Sequence, residues 1–309
     1  MTIMQSQQQN NVKNDATTYP QMLQIPKSNF EIPIVLWGSK PIKNKICQIS
    51  SLPDKKTVLT GSIDGHITLW RTDPDNSSIL QARMILFGHK SEITAISTAS
   101  LNADSKRFVS TSTTGEMCLW DSEEGRCIDN ICNPAYIHRK IIPHDMQHQK
   151  STRLFCCGDY AEIVIMDPND LSIIFSLTSR VEPDWISALS VVRPFEKNDV
   201  VIGLSMSGMV KLWSLVDIEK REITNNLNED ESQILSLRNI HSIACSELNK
   251  RIMLIISSNC WQIVDLTDLK PLTVSECKVD AINGTIIDTD KVAIGFADSN
   301  VVLFQLPRR

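Results

Sequence analysis

An all-β array of repeats is the architecture to which this 309-residue sequence points, on two observations. A ten-residue phrase recurs: Ser62-Ile63-Asp64-Gly65-His66-Ile67-Thr68-Leu69-Trp70-Arg71, then Ser112-Thr113-Thr114-Gly115-Glu116-Met117-Cys118-Leu119-Trp120-Asp121, then Ser205-Met206-Ser207-Gly208-Met209-Val210-Lys211-Leu212-Trp213-Ser214. Each copy keeps a small residue, a turn glycine, an alternating apolar run and a terminal tryptophan. Between the copies, short apolar runs alternate with turn residues, as in strands half-buried between stacked sheets. Together these are the signature of a WD-repeat β-propeller.

Weaker copies appear once the tryptophan slot accepts other apolar residues. Met166 closes Glu162-Ile163-Val164-Ile165, Val264 closes Cys260-Trp261-Gln262-Ile263, and Phe304 closes Asn300-Val301-Val302-Leu303. The slots Trp70, Trp120, Met166, Trp213, Val264 and Phe304 are spaced 50, 46, 47, 51 and 40 residues apart. A four-stranded blade takes roughly 40–45 residues, so six blades are recognisable and the longer intervals carry loop insertions.

Within a repeat, Ile46-Cys47-Gln48-Ile49 and Thr57-Val58-Leu59-Thr60 precede the Trp70 strand, as Ile93-Thr94-Ala95-Ile96 and Arg107-Phe108-Val109-Ser110 precede the Trp120 strand. Each group supplies three strands. The fourth follows the tryptophan: Arg83-Met84-Ile85-Leu86-Phe87 runs into Gly88-His89, the dipeptide that introduces the next blade. The amino-terminal Ile34-Val35-Leu36-Trp37-Gly38 matches this outer strand and not the tryptophan slot. It could close a six-bladed ring by pairing beside the strand that ends at Phe304, since closure removes open sheet edges. The reading favoured is that these six blades are part of a seven-bladed ring, which needs about forty further residues after Phe304. Residues 32–309 are thus the expected propeller, truncated at its carboxyl end in the second case. Residues 1–31, with Gln5-Ser6-Gln7-Gln8-Gln9-Asn10-Asn11, read as a disordered polar leader.

Bulk properties narrow the function. The net charge is −5, from 31 basic and 36 acidic residues, which gives no bias toward nucleic acid. No apolar run is long enough to span a membrane, and the leader lacks the charged start, apolar stretch and cleavage site of a signal peptide. The nine scattered cysteines form no C-x-x-C pair, so reduced thiols in a cytoplasmic protein are expected.

The search for chemistry returns no phosphate-cradling, dinucleotide, zinc-protease or nucleophile-elbow motif. No cofactor is expected, and no enzyme activity. The best metal candidate is His138, His144 and His148 with Cys156, whose ligand types suit zinc. Its spacing matches no standard site, and the segment reads as a polar connection with solvated histidines. His89 invites a catalytic role, yet its place in Gly88-His89 suggests the buried chain that WD repeats run from histidine through serine or threonine to tryptophan. That chain reads as incomplete. The second blade has His89, Ser110 or Ser112, and Trp120, but Thr114 where Asp64 sits in the first, while the first has Asp64 and Trp70 but Ser39 in the histidine slot. Such blades should rely more on apolar packing.

Two segments are candidate recognition elements. Glu182-Pro183-Asp184-Trp185-Ile186-Ser187 sets a tryptophan on the loop rim, just before the strand Ala188-Leu189-Ser190-Val191-Val192. Asp184 and Trp185 are the interaction candidates there, with core packing the expected role of Trp185. The second is the acidic run Asn225-Asn226-Leu227-Asn228-Glu229-Asp230-Glu231-Ser232, which reads as a solvated loop.

A specific resemblance rests on Pro33-Ile34-Val35-Leu36-Trp37-Gly38, Leu86-Phe87-Gly88-His89, Gly115-Glu116-Met117-Cys118-Leu119-Trp120-Asp121 with Gly125-Arg126-Cys127, and Pro183-Asp184-Trp185-Ile186-Ser187. From about residue 32 onward the chain resembles the amino-terminal propeller of the rabconnectin-3 beta subunit family. The resemblance implies a non-enzymatic cytoplasmic scaffold, peripherally associated with endomembrane vesicles. It would pair with the rabconnectin-3 alpha subunit and contact peripheral subunits of the vacuolar proton-ATPase, promoting pump assembly and acidification without inserting in the membrane. It carries no ligand residue over to named positions. The alternative from another class is a substrate-recognition adaptor of a ubiquitin ligase or of a coat complex.

Overall fold

The structure is a computed structural model that describes residues 34–36, 45–72, 80–146, 151–178, 184–192, 199–215, 226–228, 231–235, 237, 239–245 and 251–306. Residues 1–31, Trp37, Ser39, His148 and Glu182-Pro183 lie outside them.

Among the described residues six sheets follow one another along the chain, antiparallel throughout except for one added strand in the third. Blade 1 holds β2 (Ile46–Ser51), β3 (Thr57–Ser62), β4 (Ile67–Thr72) and β5 (Leu80–Leu86), with β1 (Ile34–Leu36) added outside β5. Blade 2 is β6 (Ile93–Thr98), β7 (Arg107–Ser112), β8 (Glu116–Asp121) and β9 (Arg126–Cys132). Blade 3 is β10 (His138–Met146), β11 (Ser151–Gly158), β12 (Tyr160–Met166) and β13 (Ile173–Thr178), with β17 (Asn226–Asn228) beside β13. Blade 4 is β14 (Ile186–Val192), β15 (Val200–Ser205), β16 (Met209–Ser214) and β18 (Glu231–Ile234). Blade 5 is β19 (Ile240–Cys245), β20 (Ile252–Ser257), β21 (Cys260–Asp265) and β22 (Pro271–Glu276). Blade 6 has three strands, β23 (Ala281–Asp288), β24 (Lys291–Phe296) and β25 (Val301–Gln305). First strands of successive blades adjoin, so the sheets radiate from a common centre as a propeller.

Each slot residue sits on the third strand of its blade. Trp70 is on β4, Trp120 on β8, Met166 on β12, Trp213 on β16, Val264 on β21 and Phe304 on β25. Alternation then fills the spaces between blades. Leu59, Ile67 and Leu69 of blade 1 pack with Ile93, Phe108 and Trp120 of blade 2. Val109 and Leu119 pack with Leu154, Val164 and Met166 of blade 3. Trp213 and Val201 of blade 4 pack with Phe155, Ile163 and Ile165. Fully burying one such aliphatic or aromatic side chain contributes about 1.5–3 kcal/mol, and these layers are most of what holds the array together.

The phrase's glycine is explained at its turn. Gly115 and Gly208 adopt φ of +78° and +89°, the left-handed region that side chains disfavour. A Cβ would also collide with the carbonyl of Asn133 at Gly115 and with that of Leu237 at Gly208. Those carbonyls belong to the chain leaving the fourth strand, and Asn133 and Leu235 donate their N–H groups back to the Gly115 and Gly208 carbonyls at 2.9 Å. A glycine is needed where two backbones meet this closely.

Three expectations are corrected. The amino-terminal strand does not pair beside the strand ending at Phe304: β1 lies antiparallel to β5, with Ile34 opposite Leu86 and Leu36 opposite Met84. The stretch closed by pairing Leu36 with Met84 is several-fold shorter than one reaching Phe304, which favours the β5 edge by about 1–2 kcal/mol of chain entropy. The acidic run is not a plain loop, since β17 joins the outer edge of blade 3 in parallel to β13 and β18 is the fourth strand of blade 4. The histidine-rich segment is not a connection either, because His138–Met146 is the first strand of blade 3, paired along its length with β11.

Candidate functional site

One backbone hydrogen bond recurs on a single face of the propeller. The turn between second and third strands donates an N–H to the carbonyl just before the first strand: Ile63 to Lys45, Thr113 to Glu92, Asp159 to Ile137, Met206 to Trp185, and Ala297 to Asp280, at 2.9–3.1 Å. Two chain segments per blade are thereby tied together, and side chains carried on them are held at fixed positions on that face.

In blade 4 this tie presents an apolar pair. Trp185 is 53% exposed and Met206 44% exposed, and the 2.9 Å bond from the Met206 N–H to the Trp185 carbonyl joins them. Asp184 adds a second clamp by accepting the Ser207 N–H at 2.9 Å. Partial burial pushes the Asp184 carboxyl up, but hydrogen bonds from Ser207 and Ser205 and the charge of Lys211 outweigh it, and the group is held below the usual carboxylate range. Trp185 thus stands out from the core that was its expected place. Its chain direction is set by the start of β14, where Ile186 turns inward at 2% exposure, and alternation sends the preceding side chain away.

The tryptophan chain of blade 2 is more complete than its sequence suggests. His89 Nε2 and Ser110 Oγ lie 2.7 Å apart, and Trp120 Nε1 donates to the same Oγ at 2.8 Å. Glu116 Oε2 stands 3.5 Å from His89 Nδ1, so a carboxylate on β8 faces the imidazole even though Thr114 occupies the acid's turn position. Burial pushes His89 down to about 4, with Glu116 opposing that shift. In blade 1, Trp70 Nε1 donates to Thr60 Oγ1 at 2.8 Å, while Asp64 accepts from Ser62 Oγ and lies 3.2 Å from His66 Nδ1 at the turn. Asp64 therefore organises a turn and not a buried chain. In blade 4 the hydroxyl position is Gly203, opposite Lys211 on the adjoining strand, and the Trp213 indole N–H has no hydrogen-bond partner among the described residues.

The candidate zinc ligands are dispersed. His138 Nδ1 bonds the Tyr160 hydroxyl at 2.5 Å, burial pushes it down to about 4, and Tyr136 stacks alongside. His144 Nε2 is 2.9 Å from Asp199 Oδ2 across the blade 3 to blade 4 boundary. Cys156 is buried in the apolar layer between blades 2 and 3. Among the described residues no group of three or more His, Cys, Asp or Glu side chains is placed to hold a metal ion, and no helix is long and apolar enough to cross a membrane.

Comparisons with known proteins bear on the fold. The family model described as "WD domain, G-beta repeat" matches residues 38–71 and 81–121. WD repeat-containing protein 72 of Mus musculus is 27% identical over 282 residues, covering 89% of this chain and 25% of the mouse protein. The chain spans about a quarter of the length of the curated relatives it matches first. Among solved structures, the C-terminal WD40 domain of Sif2 superposes with a TM-score of 0.62 at 17% identity, over 87% of this chain and 70% of that one. The structure of U3-55K gives a TM-score of 0.65 at 15% identity, over 89% and 80%. Strand order, repeat phrase and these likenesses agree: the described residues form an all-β, six-bladed propeller, in which residues 38–71 and 81–121 match the WD-repeat model.

Proposed function

We propose that this propeller is a non-enzymatic scaffold that engages a protein partner through the face carrying the recurrent turn bonds, with Trp185 as anchor. The observation that carries this reading is a tryptophan 53% exposed on a loop clamped by two hydrogen bonds, one between backbones and one accepted by the Asp184 carboxylate. Exposed aromatics on rigid supports are the residue type that dominates interface energetics, because they offer large apolar area with little side-chain freedom to lose. The sheets beneath hold the loops in place, so little ordering is left for binding.

The partner follows from the resemblance of the Pro183-Asp184-Trp185-Ile186-Ser187 and Gly115-to-Asp121 runs to the rabconnectin-3 beta subunit family. We take the partners to be a rabconnectin-3 alpha subunit and peripheral subunits of the vacuolar proton-ATPase, at the cytoplasmic surface of endomembrane vesicles. The role would be to hold pump sectors together during assembly.

The test is affinity purification of tagged residues 1–309 from cytosol, side by side with Trp185→Ala, followed by identification of the captured proteins. Recovery of proton-pump peripheral subunits by the parent chain, weakened by about 2 kcal/mol or roughly thirtyfold in the variant, supports the reading. Recovery of ligase or coat subunits overturns the partner assignment, and equal capture by both chains overturns the anchor.

A further inference from the structure

Asn283-Gly284 is the chain's one Asn-Gly dipeptide, and it lies in β23, the first strand of blade 6. Register settles where its amide points. Ala297 donates its N–H to the Asp280 carbonyl on the β23 side, and Phe296 donates to the Asn300 carbonyl on the β25 side. Backbone groups alternate in direction along a strand, so Gly295 turns back to β23 and opposes Asn283 as a hydrogen-bonded pair. Gly284, opposite Ile294, then turns its N–H away from β24. Among the described residues no strand pairs on that side, because β23 ends its sheet. The Gly284 N–H is instead received by the Asn283 side chain, whose Oδ1 accepts it at 2.8 Å.

That contact sets the Gly284 nitrogen beside the carbon of the Asn283 carboxamide, an arrangement from which a five-membered ring closes. Asn283 is exposed, so water reaches the amide proton. Three comparisons within the molecule isolate the site. Asp64-Gly65 has the same glycine, but the Gly65 N–H is held by the Ser62 carbonyl at 3.2 Å. Asn130 and Thr289 donate to the preceding Asp129 and Asp288 at 2.8 and 2.7 Å, but an ionised carboxylate is a poor electrophile, and a Cβ on the donor residue crowds ring closure. At Asn283-Gly284 a neutral carboxamide, a nitrogen outside the ladder and a missing Cβ coincide. Packing fixes the glycine: a Cβ there would lie 2.8 Å from Ile256 Cδ1 and 2.9 Å from Ile294 Cδ1. The layer between blades 5 and 6 thus demands the residue that makes closure easy.

We propose that Asn283 is a site of spontaneous covalent modification, converted to aspartate and isoaspartate by attack of the Gly284 nitrogen, and that the isoaspartyl product unpairs β23 from β24. Asparagine is among the chemically labile side chains. The Gly284 nitrogen gives its proton to water and bonds to Asn283 Cγ, while the carboxamide nitrogen takes up a proton and leaves as ammonia, giving a succinimide. One water then opens the ring. Breaking the new bond from nitrogen to Cγ leaves an ordinary aspartyl link, whereas breaking the original peptide bond leaves the main chain running through Cβ and Cγ. Both products carry a new negative charge, and the second lengthens β23 by one carbon. Past that point Thr285 and Ile286 lose their places opposite Ala293 and Val292, and Ile286 loses its packing on the Val292 and Ile294 layer. Blade 6 therefore loses pairing as the protein ages.

The test is to age the folded 309-residue chain and its Asn283→Gln variant in neutral buffer, then to map peptides by mass spectrometry with aspartyl and isoaspartyl forms separated. Amide hydrogen exchange at Lys291–Phe296 is followed in the same samples. The expected result is conversion at Asn283 several-fold faster than at any other asparagine, with both isomers present, and exchange in β24 several-fold faster in the aged parent chain than in the fresh one. Glutamine keeps the carboxamide but must close a six-membered ring, which is far slower, so the aged variant should stay unconverted at this position and keep its β24 protection. Conversion in the urea-denatured chain but not in the folded one means that the strand holds the two atoms apart. Aspartate without isoaspartate means hydrolysis that bypasses Gly284. A fully converted chain whose β24 exchange matches that of fresh protein means that the modified strand keeps its register. Each of these three overturns the proposal.

Discussion

Trp120 and Trp70 end the same phrase, yet one lies in a sealed layer between two blades and the other is only half-buried. Trp120 is fully buried, stacked on Phe108 with centroids 6.1 Å apart, and its indole N–H bonds a serine that also bonds His89. Trp70 keeps the equivalent hydroxyl partner, Thr60, but is only half-buried. Local sequence therefore sets the rotamer and the hydrogen bond, whereas energy comes from the neighbouring blade. The first expected consequence is the largest: Trp120→Ala should cost about 3–5 kcal/mol, and Trp70→Ala roughly half of that or less. Urea denaturation of both variants measures the gap. Equal losses would mean that blade 1 packs its tryptophan as tightly as blade 2.

Acid should separate the same two regions. His89 and His138 are both held down to about 4 by burial, at the boundaries of blade 2 with its neighbours. Their unfolded pKa is near 6.5, so between about pH 6.5 and 4 the unfolded chain binds protons that the folded chain refuses. Stability is then fully present above about pH 6.5 and falls as the pH drops toward 4, by up to roughly 3 kcal/mol for each group. His138→Gln should flatten the slope of stability against pH over that window. An unchanged slope would show that His138 titrates normally in the folded state.

Ser110 is the shared partner in blade 2, so Ser110→Ala leaves both the Trp120 indole and the His89 imidazole short of a buried partner and should cost about 1–3 kcal/mol. Thr60→Val removes one bond beside a half-open tryptophan, where water can replace the lost partner, and should cost less. Denaturant midpoints for the two variants sharpen the contrast. A Thr60→Val loss matching that of Ser110→Ala would show the blade 1 bond to be sealed from solvent.

Much of the interior was readable because its causes are local. The phrase glycine answers to a φ of +78° at Gly115 and a nearby carbonyl, and the slot residues answer to strand alternation. What escaped reading depends on partners distant in sequence. Ile34–Leu36 shows the alternation of an outer strand, but alternation says only that an edge is suitable and not which edge is taken. Asn226–Asn228 and Glu231–Ile234 pair at sheet edges, and the acidic residues Glu229, Asp230 and Glu231 between and within them read as a loop in sequence. The His138–Met146 strand hides its period behind Arg139, Lys140 and Pro143. Glu116 lies two residues past the expected acid position, and only the fold shows that its longer side chain faces His89. Trp185 looked like core because it is apolar; its exposure follows from a strand that begins one residue later.

Trp185 supplies the smallest effect, and the sharpest separation of support from recognition. Its side chain is more than half exposed, and both bonds that clamp the loop use other atoms: the Trp185 carbonyl and the Asp184 carboxylate. Trp185→Ala should therefore change stability by less than about 0.5 kcal/mol, a shift that thermal melting would barely register. Asp184→Ala removes a side-chain clamp and leaves the Ser207 N–H to water, so it should cost somewhat more while leaving the indole in place. A large loss of stability on removing Trp185 would mean that the indole supports blade 4, and the exposed face would then have no anchor to offer a partner.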